Sequence, residues 1–76
     1  MAKASKTIPP FDCIVLDEPE TITNPFSGES VLLDPVAVAV YDTIMGAQQF
    51  GQYQTVRKGL DWFRRFYPRE YMILLD

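Results

Sequence analysis

The spacing of apolar residues changes from short extended runs in the first third of the chain to a helical repeat after residue 34. Residues 11–17 form a short apolar run rich in strand-forming residues and bounded by prolines, which predicts a strand. Residues 21–23 and 29–33 are extended runs on either side of an Asn-Pro and Ser-Gly cluster. They predict a β-hairpin with a turn of about five residues, in which Gly28 supplies a positive φ.

The start of the first helix is marked by Asp34 and Pro35. The aspartate can cap the free amide groups, and a proline at the first helical position gives up a donor that has no partner there. Apolar positions then recur every three or four residues as far as Gln48 or Gln49, which predicts one buried face. Gly46 lies within this helix, where glycine costs about 1 kcal/mol relative to alanine. We therefore expect Gly46 to allow the close approach of a neighbouring element.

A second helix is predicted over residues 53–66. Its apolar stripe repeats at spacings of three and four and consists of Tyr53, Val56, Leu60, Phe63 and Tyr67. Pro68 ends this helix, and the chain beyond it forms either a short helix ending near Leu74 or a strand over residues 71–75. The predicted fold is a small single α+β domain over residues 11–76, with a short strand and a β-hairpin packed on two main α-helices and a short C-terminal element. A flexible N-terminal tail is expected over residues 1–10.

Composition limits the chemistry of such a domain. The 76 residues include no histidine and a single cysteine, Cys13. An intrachain disulfide is therefore excluded, and the commonest general base and metal ligand are missing. With no glycine-rich phosphate loop or serine elbow in the sequence, we expect no enzymatic activity, no metal and no cofactor. A chain of this size buries only about 60% of its unfolded surface, so oligomerisation or a protein partner is the expected source of further stability.

Two groups of polar residues have a partial likeness to metal sites. Residues 24–28 have the outline of a zinc knuckle, but Asn and Ser stand where the thiolates would bind, so we expect a plain turn. Asp17, Glu18 and Glu20 match no calcium loop, and we expect a solvated acidic loop. The longest apolar runs fall far below the roughly 20 residues of a membrane span. The expected location is therefore the cytoplasm, without a membrane partner.

Charged residues are divided along the chain. Every ionised side chain between Asp12 and Asp42 is acidic, whereas five of the seven basic residues lie between positions 57 and 69. These five are Arg57, Lys58, Arg64, Arg65 and Arg69. The net charge of −3 therefore conceals an acidic half and a basic helix face.

The candidate partner-binding surface is the side of the second helix where aromatic residues adjoin basic ones. Its residues are Arg57, Lys58, Trp62, Arg65 and Phe66. One interpretation is a solvated face whose charges pair with the acidic half or with Asp61. The others are a protein-binding surface, and a nucleic-acid site that neutralises phosphates and stacks a base on Trp62. Trp62 itself is either a core residue or an interface anchor.

Five short stretches carry a further signal: NPFSGES at 24–30, LDP at 33–35, VYD at 40–42, GLDWF at 59–63 and YMILLD at 71–76. Together they resemble small uncharacterised proteins of tailed bacteriophages, especially marine ones. The resemblance covers about residues 20–76 and includes no catalytic signature. It implies a setting, either the cytoplasm of an infected bacterium or the phage particle, and assigns no role to any single residue.

These observations predict a non-enzymatic, phage-encoded protein-interaction module that binds a bacterial or phage protein, with self-association as a further expectation. The alternative is an accessory protein that binds nucleic acid through the basic face of the second helix.

Overall fold

The computed structural model describes residues 8–75. The elements follow in the order β1 (Glu20–Thr23), β2 (Ser30–Leu33), α1 (Pro35–Gln49), α2 (Tyr53–Phe66) and α3 (Pro68–Leu74). The predicted small α+β class is confirmed, and the C-terminal element is a helix, not a strand. Within the described range, no helix is long and apolar enough to cross a membrane. Most of the predicted tail, residues 1–7 of its ten, lies outside the described residues.

The hairpin forms where the sequence predicts it. β1 and β2 pair antiparallel. The turn between them is closed by the backbone N–H of Asn24, which donates to the Glu29 carbonyl at 2.8 Å. Gly28 has the expected positive φ, at 80°. Leu33, at the end of β2, is 1% exposed, so this end of the sheet is anchored in the core between the hairpin and the helices.

The core is formed mainly by α1 and α2, which make the most extensive contact between elements. Val40 and Ile44 of α1 are completely buried, as is Phe63 of α2. Burial of such side chains stabilises the fold by roughly 1.5–3 kcal/mol each. Trp62 is also buried, at 6% exposure, which settles its position as a core residue.

The close approach between the two helices occurs at Gly59, and the prediction for Gly46 is wrong. A Cβ added at Gly46 would meet nothing within 4 Å, whereas one added at Gly59 would lie 2.4 Å from Cγ1 of Ile44. The reason is the direction of the α1 contact face, which presents Ile44 to α2 and turns Gly46 away from it. Glycine at position 59 therefore removes the side chain that would separate the helices.

The apolar stripe of α2 is buried except at its first residue. Val56 and Phe63 are buried, and Leu60 and Tyr67 are half-buried. Tyr53, the first residue of the predicted apolar stripe, is 73% exposed. It occupies the first turn of α2, where the helical repeat continues but the core beneath it has ended.

The predicted strand over residues 11–17 is also wrong, since these residues have no regular secondary structure. Phe11 and Cys13 pack against the core, but Ile14 and Leu16 are 83% and 69% exposed. A strand is stabilised by a neighbour that pairs with its backbone. Among the described residues, the sheet contains only β1 and β2, and neither pairs with this segment.

Candidate functional site

The five residues predicted to bind a partner do not form one continuous patch on α2. Nine steps of about 100° separate Arg57 from Phe66 and place them on opposite sides of the helix. Lys58 and Arg65, seven steps apart, share one face. Arg57 lines a separate cleft that also contains Leu60 and Tyr71. The structure therefore brings Lys58, Arg65 and Phe66 to neighbouring parts of the surface and leaves Arg57 outside it.

Trp62 lies beneath this surface instead of on it. Its indole N–H donates a hydrogen bond of 2.7 Å to the carbonyl of Ile8. Its ring centroid is 5.7 Å from that of Phe66 and 5.3 Å from that of Tyr67. Such tilted aromatic contacts are favourable beyond the area they bury. Trp62 thus holds the N-terminal segment on one side and supports Phe66 from behind.

Phe66 itself is 52% exposed and lines a groove of about 490 Å³ at the junction of α2 and α3. The groove, called here the Phe66 groove, is lined by Pro19, Leu32, Asp34, Phe66, Tyr67, Pro68, Arg69 and Glu70. Leu32 is 61% exposed although it belongs to β2. The groove therefore has an exposed apolar floor, with charged side chains around it.

Both oxygens of the Asp34 carboxylate at this groove are engaged within the molecule. Oδ1 accepts the Ala37 amide at 3.0 Å, and Oδ2 accepts the hydroxyl of Tyr67 at 2.5 Å. This carboxylate is committed to capping α1 and to holding the α2–α3 junction. Its role at the groove is therefore structural, since both of its oxygens already accept hydrogen bonds.

The basic face remains largely unpaired within the described residues. Arg64 forms a 2.7 Å ion pair with Asp61, both exposed, so the pair is worth little in water. Between residues 8 and 75, Arg57, Lys58, Arg65 and Arg69 form no ion pair with any carboxylate. The prediction that these charges pair with the acidic half or with Asp61 therefore holds for Arg64 and for none of these four.

Metal-ligating and nucleophilic side chains are the other groups that could form a functional site. Among residues 8–75, no group of three or more His, Cys, Asp or Glu side chains could hold a metal ion. Burial, and to a smaller extent the negative charge of Asp12, raise the pKa of the Cys13 thiol above its ordinary value of 9.0. At neutral pH Cys13 is therefore a protonated, weakly nucleophilic packing residue.

Sequence reasoning missed the β-hairpin side of the groove. Leu32 alternates correctly along β2, with Leu33 inward and Leu32 outward, but the pattern does not show that its outward side meets α3. Arg69 was visible as part of the basic run, and its approach to Phe66 depends on the turn at Pro68.

No protein-family model, curated protein or solved structure matches this chain.

Proposed function

We propose that this chain is a non-enzymatic protein-interaction module that binds a bacterial or phage protein through the Phe66 groove and the basic residues beside it. The observation that supports this is an exposed aromatic residue, Phe66, next to cations that have no ion pair among residues 8–75. Aromatic and arginine side chains are enriched at protein interfaces and commonly supply most of the binding energy. Arg65 and Arg69 are the nearest such cations in the sequence.

Trp62 contributes to this function as a supporting residue. Because it is buried against Phe66 and Tyr67, its replacement by alanine would open a cavity in the core and cost about 3–5 kcal/mol of stability. Loss of binding in such a variant would be difficult to separate from loss of folding. Phe66 and Arg65 are the better positions for testing the surface.

The proposed setting is an infected bacterium, either its cytoplasm or the assembling phage particle. The resemblance of five sequence stretches to small tailed-phage proteins supports this setting. The proposed partner is accordingly a bacterial or phage protein.

The test is capture of partners from lysates of uninfected and phage-infected bacteria, with and without nuclease, followed by mass spectrometry. We expect a specific protein retained in both nuclease conditions by the wild type, and lost with Phe66→Ser and with Arg65→Glu. Phe26→Ser is the matched control, since Phe26 is 96% exposed and does not line the Phe66 groove. Retention that is equal for the wild type, Phe66→Ser and Arg65→Glu would contradict the proposal.

The second candidate is a nucleic-acid-binding accessory protein, and it is favoured by the cations of α2 that are unpaired among residues 8–75. Base stacking would have to use Phe66, because Trp62 is only 6% exposed. Binding would weaken steeply with salt, with a slope of about −0.7 per phosphate contacted on a single strand. Retention abolished by nuclease, together with this salt dependence in a direct binding assay, would place this candidate first.

A further inference from the structure

We propose that this chain forms a dimer by exchanging its N-terminal strap, so that residues 8–13 of each copy leave their own α2 and bind the same site on the other copy. Residues 8–13 are called here the strap, and residues 14–19 the connecting segment. The strap site contains Gly59 and Trp62, and neither residue lines the Phe66 groove. The exchange and the proposed function therefore use different surfaces, and either can hold without the other.

The strap has a defined site on the helices within one copy. The indole N–H of Trp62 donates a hydrogen bond of 2.7 Å to the carbonyl of Ile8. Atom Cε2 of Phe11 lies 3.4 Å from the position that a Cβ of Gly59 would take, so Phe11 packs at a point where α2 has no side chain. The occupant of this site is thus a segment whose contacts the structure shows.

The strap is attached more weakly than the helices are to each other. Residues 8–19 have no regular secondary structure, and within the described chain residues 9–19 make no hydrogen bond. Phe11 and Cys13 pack against the core but are only partly buried. A segment with so few buried contacts opens at a lower free energy than the whole fold. The strap can therefore leave its site while α1 and α2 remain folded.

The connecting segment favours a second copy as the partner. Ile14, Val15 and Leu16 are 83%, 41% and 69% exposed, and in one copy the described sheet, which consists of β1 and β2, gives them no neighbour. In an exchanged dimer the two connecting segments cross between the copies beside the two-fold axis, where they can pair antiparallel and cover each other's apolar side chains. Because the strap contacts are the same in monomer and dimer, this pairing is what stabilises the dimer.

The connecting segment is also long enough for the exchange. Its six residues span about 20 Å when fully extended, and the shortest dimension of the molecule is 20 Å. A strap can therefore reach the site on a copy packed alongside. Exchange in both directions forms the same contact twice, which closes the dimer.

The test is an isotope-filtered NOE spectrum of the full chain, recorded on an equal mixture of ¹³C-labelled and unlabelled protein at about 1 mM. We expect contacts between the Phe11 ring of one copy and Gly59 and Ile44 of the other. Analytical ultracentrifugation from about 10 μM to about 1 mM should show a monomer–dimer equilibrium. A protein that is monomeric throughout this range, or a dimer in which these NOEs arise only within one copy, overturns the inference.

A substitution in the connecting segment tests why the dimer is stable. Leu16→Ser changes a side chain that is exposed in one copy, so we expect unaltered urea unfolding of the dilute protein and dimerisation weakened by about tenfold. The matched control is Phe26→Ser, since Phe26 is 96% exposed in the hairpin turn and should change neither quantity. Dimerisation that is unchanged by Leu16→Ser, or weakened equally by both substitutions, overturns the inference.

Hydrogen exchange followed by NMR tests the first step, the opening of the strap. The indole N–H of Trp62 should exchange at a lower free energy of opening than the backbone amides of Val40 and Ile44, because the strap leaves while the helices stay folded. Exchange of all three groups at the free energy of global unfolding would show that the strap does not detach, and would overturn the inference.

Discussion

The hydroxyl of Tyr67 donates a hydrogen bond of 2.5 Å to Oδ2 of Asp34, 33 residues away in the chain. The other oxygen of the same carboxylate caps α1 by accepting the Ala37 amide. Tyr67 lies between α2 and α3, so a single aspartate fixes the start of one helix and the junction of the other two. This junction forms part of the Phe66 groove.

Removal of the Tyr67 hydroxyl should therefore destabilise the fold without disturbing the ring packing. For Tyr67→Phe we expect a loss of about 1–2 kcal/mol in the free energy of unfolding, since hydrogen bonds to charged groups contribute about 1.5–3 kcal/mol and this one is only partly buried. Asp34→Ala should cost more, because it also removes the helix cap, which is worth about 1 kcal/mol. Urea denaturation of both single variants and of the double variant measures the coupling between Tyr67 and Asp34. Losses in the free energy of unfolding that simply add would contradict an interaction between these two residues.

The two glycines of the helices should respond to alanine in opposite directions. Gly59→Ala places a methyl group against completely buried Ile44, and we expect it to lower the free energy of unfolding by about 1–3 kcal/mol as overpacking does. Gly46→Ala meets no atom within 4 Å and should raise stability by up to about 1 kcal/mol through helix propensity. Thermal and urea unfolding of the two variants measure these changes in the free energy of unfolding. Equal effects of the two changes would rule out the close approach at Gly59.

Trp62 should control the attachment of the N-terminal segment. Trp62→Phe removes the indole N–H that binds the Ile8 carbonyl and leaves part of its buried volume empty, so we expect a loss of about 1–3 kcal/mol. Phe11 should then be cleaved faster by chymotrypsin than in the wild type. The control is Phe66→Leu, at an exposed neighbouring ring, which should leave the cleavage rate nearly unchanged. Equal cleavage of wild type and Trp62→Phe would show that this bond does not hold the segment.

The raised pKa of Cys13 predicts that the free energy of unfolding falls at alkaline pH. Because its pKa is raised in the folded protein by burial and by Asp12, the folded state binds the thiol proton more tightly than the unfolded state. The resulting stabilisation is fully present below the ordinary pKa of 9.0 and is lost as pH rises through the folded pKa. We expect the free energy of unfolding of the wild type to fall between neutral and alkaline pH more steeply than that of Cys13→Ala. Parallel pH profiles would exclude the effect.

Alkylation provides a separate measurement on the same residue. Iodoacetamide should modify Cys13 slowly at neutral pH, where the thiolate is scarce. Asp12→Asn removes the smaller of the two causes of the shift and should accelerate the reaction modestly, whereas urea, which removes burial, should accelerate it more. An alkylation rate unchanged by urea would contradict the role of burial.

Elements with local signals could be predicted from the amino-acid pattern. The Asp34-Pro35 pair marks the start of α1 because capping and the fixed proline φ act within one turn. The turn before β2 follows from the positive φ of Gly28. The boundaries of α2 follow from the helical repeat and from Pro68. In each case the deciding interaction lies within a few residues, which is why the pattern was sufficient.

Features that depend on which elements pack together could not be predicted from that pattern. Residues 11–17 have strand-forming composition, but a strand needs a neighbouring backbone, and the described chain provides none. Gly46 and Gly59 look alike in the sequence, and only the orientation of α1 on α2 selects Gly59 as the close contact. The Phe66 groove joins Leu32 to Phe66, and no periodicity along one element encodes a contact between two. Periodicity specifies which face of an element is apolar, whereas packing specifies what that face contacts.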